Sequence, residues 1–161
     1  MALTHPDRMG GKPAREQSIA AQQSSLVNKA YETLLSPLPR LLYLVRTETG
    51  RDLGSDEDAD GGGGGKKMDP ELLMTVLQTR EELEDASGQE AVDAIRAQNK
   101  ERFQHVLDRL DKIFAATAEP TNAEKVDWQQ VIGLAVQLRY WQNIEDACRE
   151  WQPGNPIALA H

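Results

Sequence analysis

Cysteine is almost missing from this chain. Cys148 stands alone among 161 residues, so no internal disulfide can form and a cysteine-based metal site lacks ligands. Aromatic residues supply only 5% of the sequence, which leaves too little bulk for a large β core. No apolar run approaches the roughly 20 residues needed to cross a bilayer, so no membrane partner is expected. Neither a secretory signal nor an Arg-rich amphipathic presequence is visible at Met1. Positive charge is also short. Eighteen Lys/Arg face 26 Asp/Glu, a net charge of −8, which argues against nucleic acid as a partner. The three histidines, His5, His105 and His161, lie far apart and lack ligand-like spacing. His105, beside Phe103 and Val106, reads as an ordinary helix-flank residue. Abundant carboxylates fall on helix faces, where solvation explains them. No nucleophile has an evident base near it. The expectation is therefore a non-enzyme with no cofactor, no metal and no catalytic residues.

What is present is organised in two parts. Residues 1–46 carry six Lys/Arg and three Asp/Glu, net +3, which leaves −11 for the rest. A basic head on an acidic body suggests two units with different partners. The length allows one ordinary domain or two small ones.

The pattern is helical nearly throughout. Residues 1–13 read as a loop containing His5-Pro6-Asp7 and Gly10-Gly11. From Ala14 to Leu35, Ile19, Gln23, Leu26, Val27, Ala30 and Leu34 recur at spacings of three and four. Ser36-Pro37 breaks that helix, because the residue before proline is pushed out of the helical region. A short helix follows over Pro37–Arg46, with Leu38, Leu41, Leu42 and Val45 as its apolar positions. Residues 47–68 read as a disordered linker: SDEDAD is a like-charge cluster, and GGGGG is costly to order. The glycine run is no phosphate loop. Lys66-Lys67 follows it where Lys-Ser/Thr is needed, and Asp60 stands where the first glycine belongs.

Residues 69–152 are expected to form a three-helix bundle, followed by a tail over 153–161. Asp69 is a good N-cap and Pro70 a good first helical residue. Glu71 in the first turn suits the helix dipole. In the helix they open, over DPELLMTVLQTREELEDA, Leu72, Val76 and Leu83 fall on one narrow core stripe. Leu73 and Leu77 form a second pair, rotated from the first and bordered by Arg80, Glu81 and Glu84. The pattern leaves two readings of that pair. It widens the core face, or it is an apolar patch for a partner protein. Ser87-Gly88 makes a turn, and Gln89–Thr117 is one long helix. Val92 and Ile95 anchor its start and Phe103, Val106, Leu107, Leu110, Ile113 and Phe114 its end, while its middle, RAQNKER, is polar on nearly every face. The last helix, from about Ala123 to Trp151, is irregular. Trp128, Val131, Ile132 and Ala135 share one face, while Tyr140, Ile144, Ala147 and Trp151 lie nearly half a turn away. Either this helix changes neighbours along its length, or part of the second set is exposed for binding.

Several segments together resemble one family. His5-Pro6-Asp7 before a helix is the tripeptide of J-domain co-chaperones. QQSSLVNKAYETLLSPLPRLLYLV resembles the third and fourth helices of the HscB (Hsc20) family, including Asn28-Lys29-Ala30-Tyr31. MDPELLMTVLQTREELEDA looks like the first helix of that family's C-terminal domain. LRYWQNIEDACREWQPG, Leu138 to Gly154, resembles its last helix, most closely in mitochondrial members. The resemblance implies an all-α fold, a J domain plus a C-terminal three-helix bundle. It implies a co-chaperone of iron–sulfur cluster biogenesis with two partners, an IscU-like cluster scaffold protein and a DnaK-type ATPase chaperone whose ATP hydrolysis it stimulates. It also implies a mitochondrial matrix location. Carried over, His5, Pro6 and Asp7 match the chaperone contact. Leu73, Leu77 and Tyr140, with Leu72 and Glu81 beside them, match the scaffold-binding face, which favours the binding reading of the second stripe.

The chain departs from the family in places. Two helices precede the tripeptide in a complete J domain, the second of them basic, whereas only Met1–Thr4 stand there here. The expectation is thus a truncated J domain over 1–46. Thr75 and Gln78 stand where close mitochondrial relatives carry charge, and the cysteine metal site of some members is absent. The rival readings are a relative that binds scaffold without stimulating the chaperone, and a plain helical structural or oligomerisation module.

Overall fold

The computed structural model describes residues 14–53, 69–118 and 126–153, and every regular element among them is an α-helix. There are five: α1 (Ala14–Leu35), α2 (Pro37–Thr49), α3 (Pro70–Glu84), α4 (Gln89–Ala118) and α5 (Trp128–Glu150). The expected all-α class holds. The chain divides into two compact units, Met1–Leu44 and Val45–His161, so the division falls within α2.

In the first unit, α1 breaks at Ser36 as expected before Pro37. The Ser36 carbonyl accepts from the Arg40 amide at 3.3 Å, and the Arg40 guanidinium donates to the Leu34 carbonyl at 3.2 Å. Ala20 and Leu41 are buried. The expected apolar stripe of α1 is largely open, with Ile19, Leu26, Val27 and Leu34 all exposed.

In the second unit, the chain stays ordered beyond the point where a linker was expected to start. Helix α2 runs to Thr49 rather than Arg46. Gly50, at φ +74°, takes the left-handed turn that ends it, and its amide donates to the Arg46 carbonyl at 2.9 Å. Val45 and Leu53 are buried, and the Arg139 guanidinium donates to the Leu53 carbonyl. An apolar side chain and a held carbonyl thus fix Leu53 on the unit that contains α5. Residues 54–68, most of the expected linker, lie outside the described residues, as do 119–125 and the tail from 154 onward.

Helices α3, α4 and α5 form the expected bundle. Asp69 caps α3, its carboxylate accepting from the Glu71 amide at 3.0 Å with Pro70 in the first helical position. Val76, Thr79 and Leu83 face inward from α3. Helix α4 contributes Val92, Ile95, Asn99, Val106 and Leu110. Helix α5 begins at Trp128, later than the expected start near Ala123, because Asp127 caps it by accepting from the Gln129 and Gln130 amides at 3.0 and 3.2 Å.

The irregularity of α5 disappears in the structure. Leu134, Leu138 and Trp141 are buried and join the two apolar sets into one continuous stripe from Val131 to Cys148. Helices α4 and α5 pair along this stripe, and α3 packs on both. A wide stripe facing two neighbours is what accommodates both sets. Ile144 and Ala147 belong to the core, whereas Tyr140 and Trp151 are only half-buried.

Candidate functional site

The site is built on α3 because its cap fixes the start of the helix and its core stripe fixes its rotation. Thr79 is buried at the position one turn beyond Val76, so the inward seam reads Val76, Thr79, Leu83. With that seam turned inward, Leu73 and Leu77 come to the side of the helix. Leu73 is 39% exposed and Leu77 50%, so neither is sealed in the core. Leu72 is half-buried at the seam's edge and Glu81 is exposed one turn past Leu77. Met74, 68% exposed, adds a flexible apolar side chain that the sequence pattern did not single out. Its position next to Leu73, off the core stripe, was the available signal. Tyr140 comes from α5, half-buried, immediately before the buried Trp141. His5, Pro6 and Asp7 lie outside the described residues.

Polar side chains fasten the three helices together, and they come from the stretch of α4 that reads as polar on nearly every face. Asn99 is 1% exposed and donates through Nδ2 to the Trp141 carbonyl at 2.8 Å. One turn later, the Arg102 guanidinium lies 5.4 Å from the centre of the Trp141 ring and donates to the Thr79 hydroxyl at 3.0 Å. Thr79 in turn donates to the Thr75 carbonyl at 2.8 Å. The ends of the α4–α5 pair are closed differently. Arg96 donates through Nε to Glu145 at 2.8 Å, and Phe114 packs at 6.4 Å on Trp128. Glu145 holds the Arg96 guanidinium above its ordinary pKa, by hydrogen bond first and by charge second.

The surface offers exposed apolar side chains with an acidic flank. Among the described residues, no group of three or more His, Cys, Asp or Glu could hold a metal ion. Burial pushes the Cys148 thiol up to about 11, so it is a protonated, inert core residue at neutral pH. No described helix is long and apolar enough to cross a membrane.

Comparison with known proteins places the chain in a class. A family model described as the HSCB C-terminal oligomerisation domain matches residues 68–149. The mitochondrial J-type co-chaperone JAC1 of Saccharomyces cerevisiae is 30% identical over 141 residues, which is 88% of this chain and 70% of that protein. A solved structure of the yeast co-chaperone superposes with a TM-score of 0.70, covering 88% of this chain and 81% of that one. The human iron–sulfur cluster co-chaperone HscB is 28% identical over 144 residues, 89% of this chain. Its crystal structure matches with a TM-score of 0.73 at 26% identity, covering 92% of this chain and 66% of that one. The bacterial HscB homologue of Burkholderia multivorans is 32% identical over 125 residues, 76% of this chain and 67% of that protein. The chain belongs to the HscB family of J-type co-chaperones. It spans 70% of the yeast relative but only 54% of the human one.

Proposed function

We propose that this chain is a non-enzymatic adaptor of iron–sulfur cluster assembly in the mitochondrial matrix. Its second unit binds an IscU-like scaffold protein through Leu73 and Leu77, with Tyr140 as an aromatic anchor and Leu72 and Glu81 at the rim. Its first unit carries the His5-Pro6-Asp7 tripeptide to a DnaK-type ATPase chaperone and stimulates ATP hydrolysis there. Proline stiffens that tripeptide, and the imidazole and carboxylate offer directional polar contacts.

The observation that carries this reading is the exposure of Leu73, Met74 and Leu77 together on a well-capped helix. Scattered surface leucines need no explanation, but three clustered large apolar side chains beside a filled core favour a partner. Leu73 and Leu77 are one turn apart, so a single apolar groove can receive both.

The test is ATPase stimulation of the chaperone by the full chain, with and without scaffold. Stimulation that needs scaffold and is lost in Asp7→Asn supports the reading. Scaffold binding without stimulation would reduce the chain to a scaffold binder, and absence of scaffold binding would sink the proposal.

A further inference from the structure

The binding ridge has a mechanical weakness. Its anchors sit on two different helices, Leu73 and Leu77 on α3 and Tyr140 on α5. Helix α3 is only 15 residues long and buries just three residues, against eight on α5. Helices α4 and α5 hold each other along their length, so α3 is the element of the bundle held by the fewest buried side chains. A groove that takes side chains from both α3 and α5 needs their separation fixed, since a small displacement misplaces one anchor relative to the other.

One side chain touches both anchor-bearing helices near the anchors. Arg102, half-buried on α4, donates to Thr79, two residues beyond Leu77, and covers the ring of Trp141, the residue after Tyr140. Asn99 grips the Trp141 carbonyl from the same side of α4, one turn earlier, and so holds the ring's helix in register. Among the described residues, Arg102 is paired with no carboxylate. Its two partners are a neutral hydroxyl and a ring. A half-buried cation with neutral partners is a poor way to gain stability, because desolvation of the charge offsets much of what the contacts contribute. It is an effective way to fix geometry. The guanidinium is planar and delocalised, so it can lie flat on indole while an edge N–H points at the hydroxyl. Lysine, a point charge, cannot hold both partners in the same fixed arrangement.

We propose that Arg102 is a positioning residue for the scaffold-binding ridge, setting α3 against α5 through Thr79 and Trp141. This rests on the scaffold-binding reading above, and it adds a residue that the ridge itself does not contain. The role predicts that binding and stability separate. Removing the guanidinium while keeping its apolar stem, as in Arg102→Met, leaves the bundle folded but lets α3 move.

The test compares full-length wild type with Arg102→Met, Arg102→Lys and Thr79→Val, with Leu77→Ala as a control on the ridge. Thermal melting, amide exchange and calorimetric binding to purified scaffold protein are measured on each. Arg102→Met should melt close to wild type, exchange the α3 amides around Val76–Leu83 roughly tenfold faster with α4 and α5 unchanged, and bind scaffold roughly tenfold more weakly. Arg102→Lys should recover part of the affinity. Thr79→Val should weaken binding in the same direction, and the double variant should be little worse than either single change, because both break one connection. Unchanged α3 exchange in Arg102→Met would overturn the proposal whatever the scaffold does. Faster α3 exchange with wild-type affinity, while Leu77→Ala still weakens binding, would overturn the positioning role and leave the ridge intact. Normal binding by Leu77→Ala would overturn the ridge itself, and with it the role of Arg102.

Discussion

Helices α1 and α5 are almost the same length, 22 and 23 residues, and each carries an apolar stripe, yet their fates differ. Helix α5 buries eight side chains between two neighbours. On α1, Ala20 is buried while Leu26 and Leu34 are 69% and 58% exposed. Amphipathic spacing therefore reports what a helix could bury, and the facing elements decide what it does bury. Helix α3 sits between these extremes. Its Val76–Thr79–Leu83 seam is sealed, and its Leu73–Leu77 side is open. The open side of α3 differs from that of α1 in one respect that matters for binding. It is carried by a capped helix whose opposite side packs into a core, so the rotation of the helix turns Leu73 and Leu77 outward.

The sharpest way to break the contrast is truncation. Leu138→Ala, at a fully buried site on α5, should cost about 2–5 kcal/mol in denaturant unfolding. Leu26→Ala on α1 should cost no more than about 0.5 kcal/mol, the usual limit for a surface change. Equal losses would mean that α1 is packed in solution.

A smaller effect is read through a thiol. With its pKa raised to about 11 from an ordinary 9.0, Cys148 carries roughly a hundredfold less thiolate at pH 8 than an open cysteine. It should alkylate slowly in the native protein, whereas a cysteine introduced by Leu26→Cys should react at the rate of an unfolded peptide. The sign of the linkage follows from the same shift. The folded state keeps this proton to a higher pH than the unfolded state does. Its contribution is fully present below about pH 9 and is lost as pH rises toward about 11. Fast labelling at pH 8 would place Cys148 at the surface.

The smallest expected effect sharpens the account of α5 itself. Gly133 lies in the helix interior, is exposed, and a methyl group there would meet nothing within 4 Å. Gly133→Ala should stabilise the protein by about 0.5–1 kcal/mol, because glycine loses more backbone freedom on folding than alanine. A loss of stability in thermal melting would show that the site is more crowded than the packing indicates.

Local chemistry made much of this legible in the sequence. Asp69-Pro70 marks the start of α3, Ser36-Pro37 the break after α1, and the three-residue and four-residue spacings the helices between. Gly50 was a readable stop for α2, yet the expected helix ended at Arg46, because polar Thr47-Glu48-Thr49 reads as the start of a linker. In the helix, the Thr49 hydroxyl instead donates back to the Val45 carbonyl at 2.7 Å. The contacts that tie the helices together were not legible. Arg102 meets Thr79 from 23 residues away and Asn99 meets Trp141 from 42, so nothing in the local pattern marks these polar residues as inward-facing. The hold of Arg139 on Leu53 spans 86 residues and was hidden for the same reason. Of the candidate site, the separation of Leu73 and Leu77 from the core stripe was legible, and Met74, three residues before Leu77, was readable by the same spacing but was passed over.

The central claim is that α3 divides its leucines between a core and a binding ridge. Calorimetric titration of the scaffold protein into Leu73→Ala, Leu77→Ala and Leu83→Ala, each paired with a melting curve, tests it most directly. Leu73→Ala and Leu77→Ala should each weaken binding about 5- to 150-fold, the range of interface anchors costing about 1–3 kcal/mol, while melting near wild type. Leu83→Ala should lose about 2–5 kcal/mol of stability while its folded fraction still binds scaffold. If Leu73→Ala and Leu77→Ala destabilise the fold as much as Leu83→Ala and bind scaffold normally once folded, the two leucines serve the core and the account is contradicted.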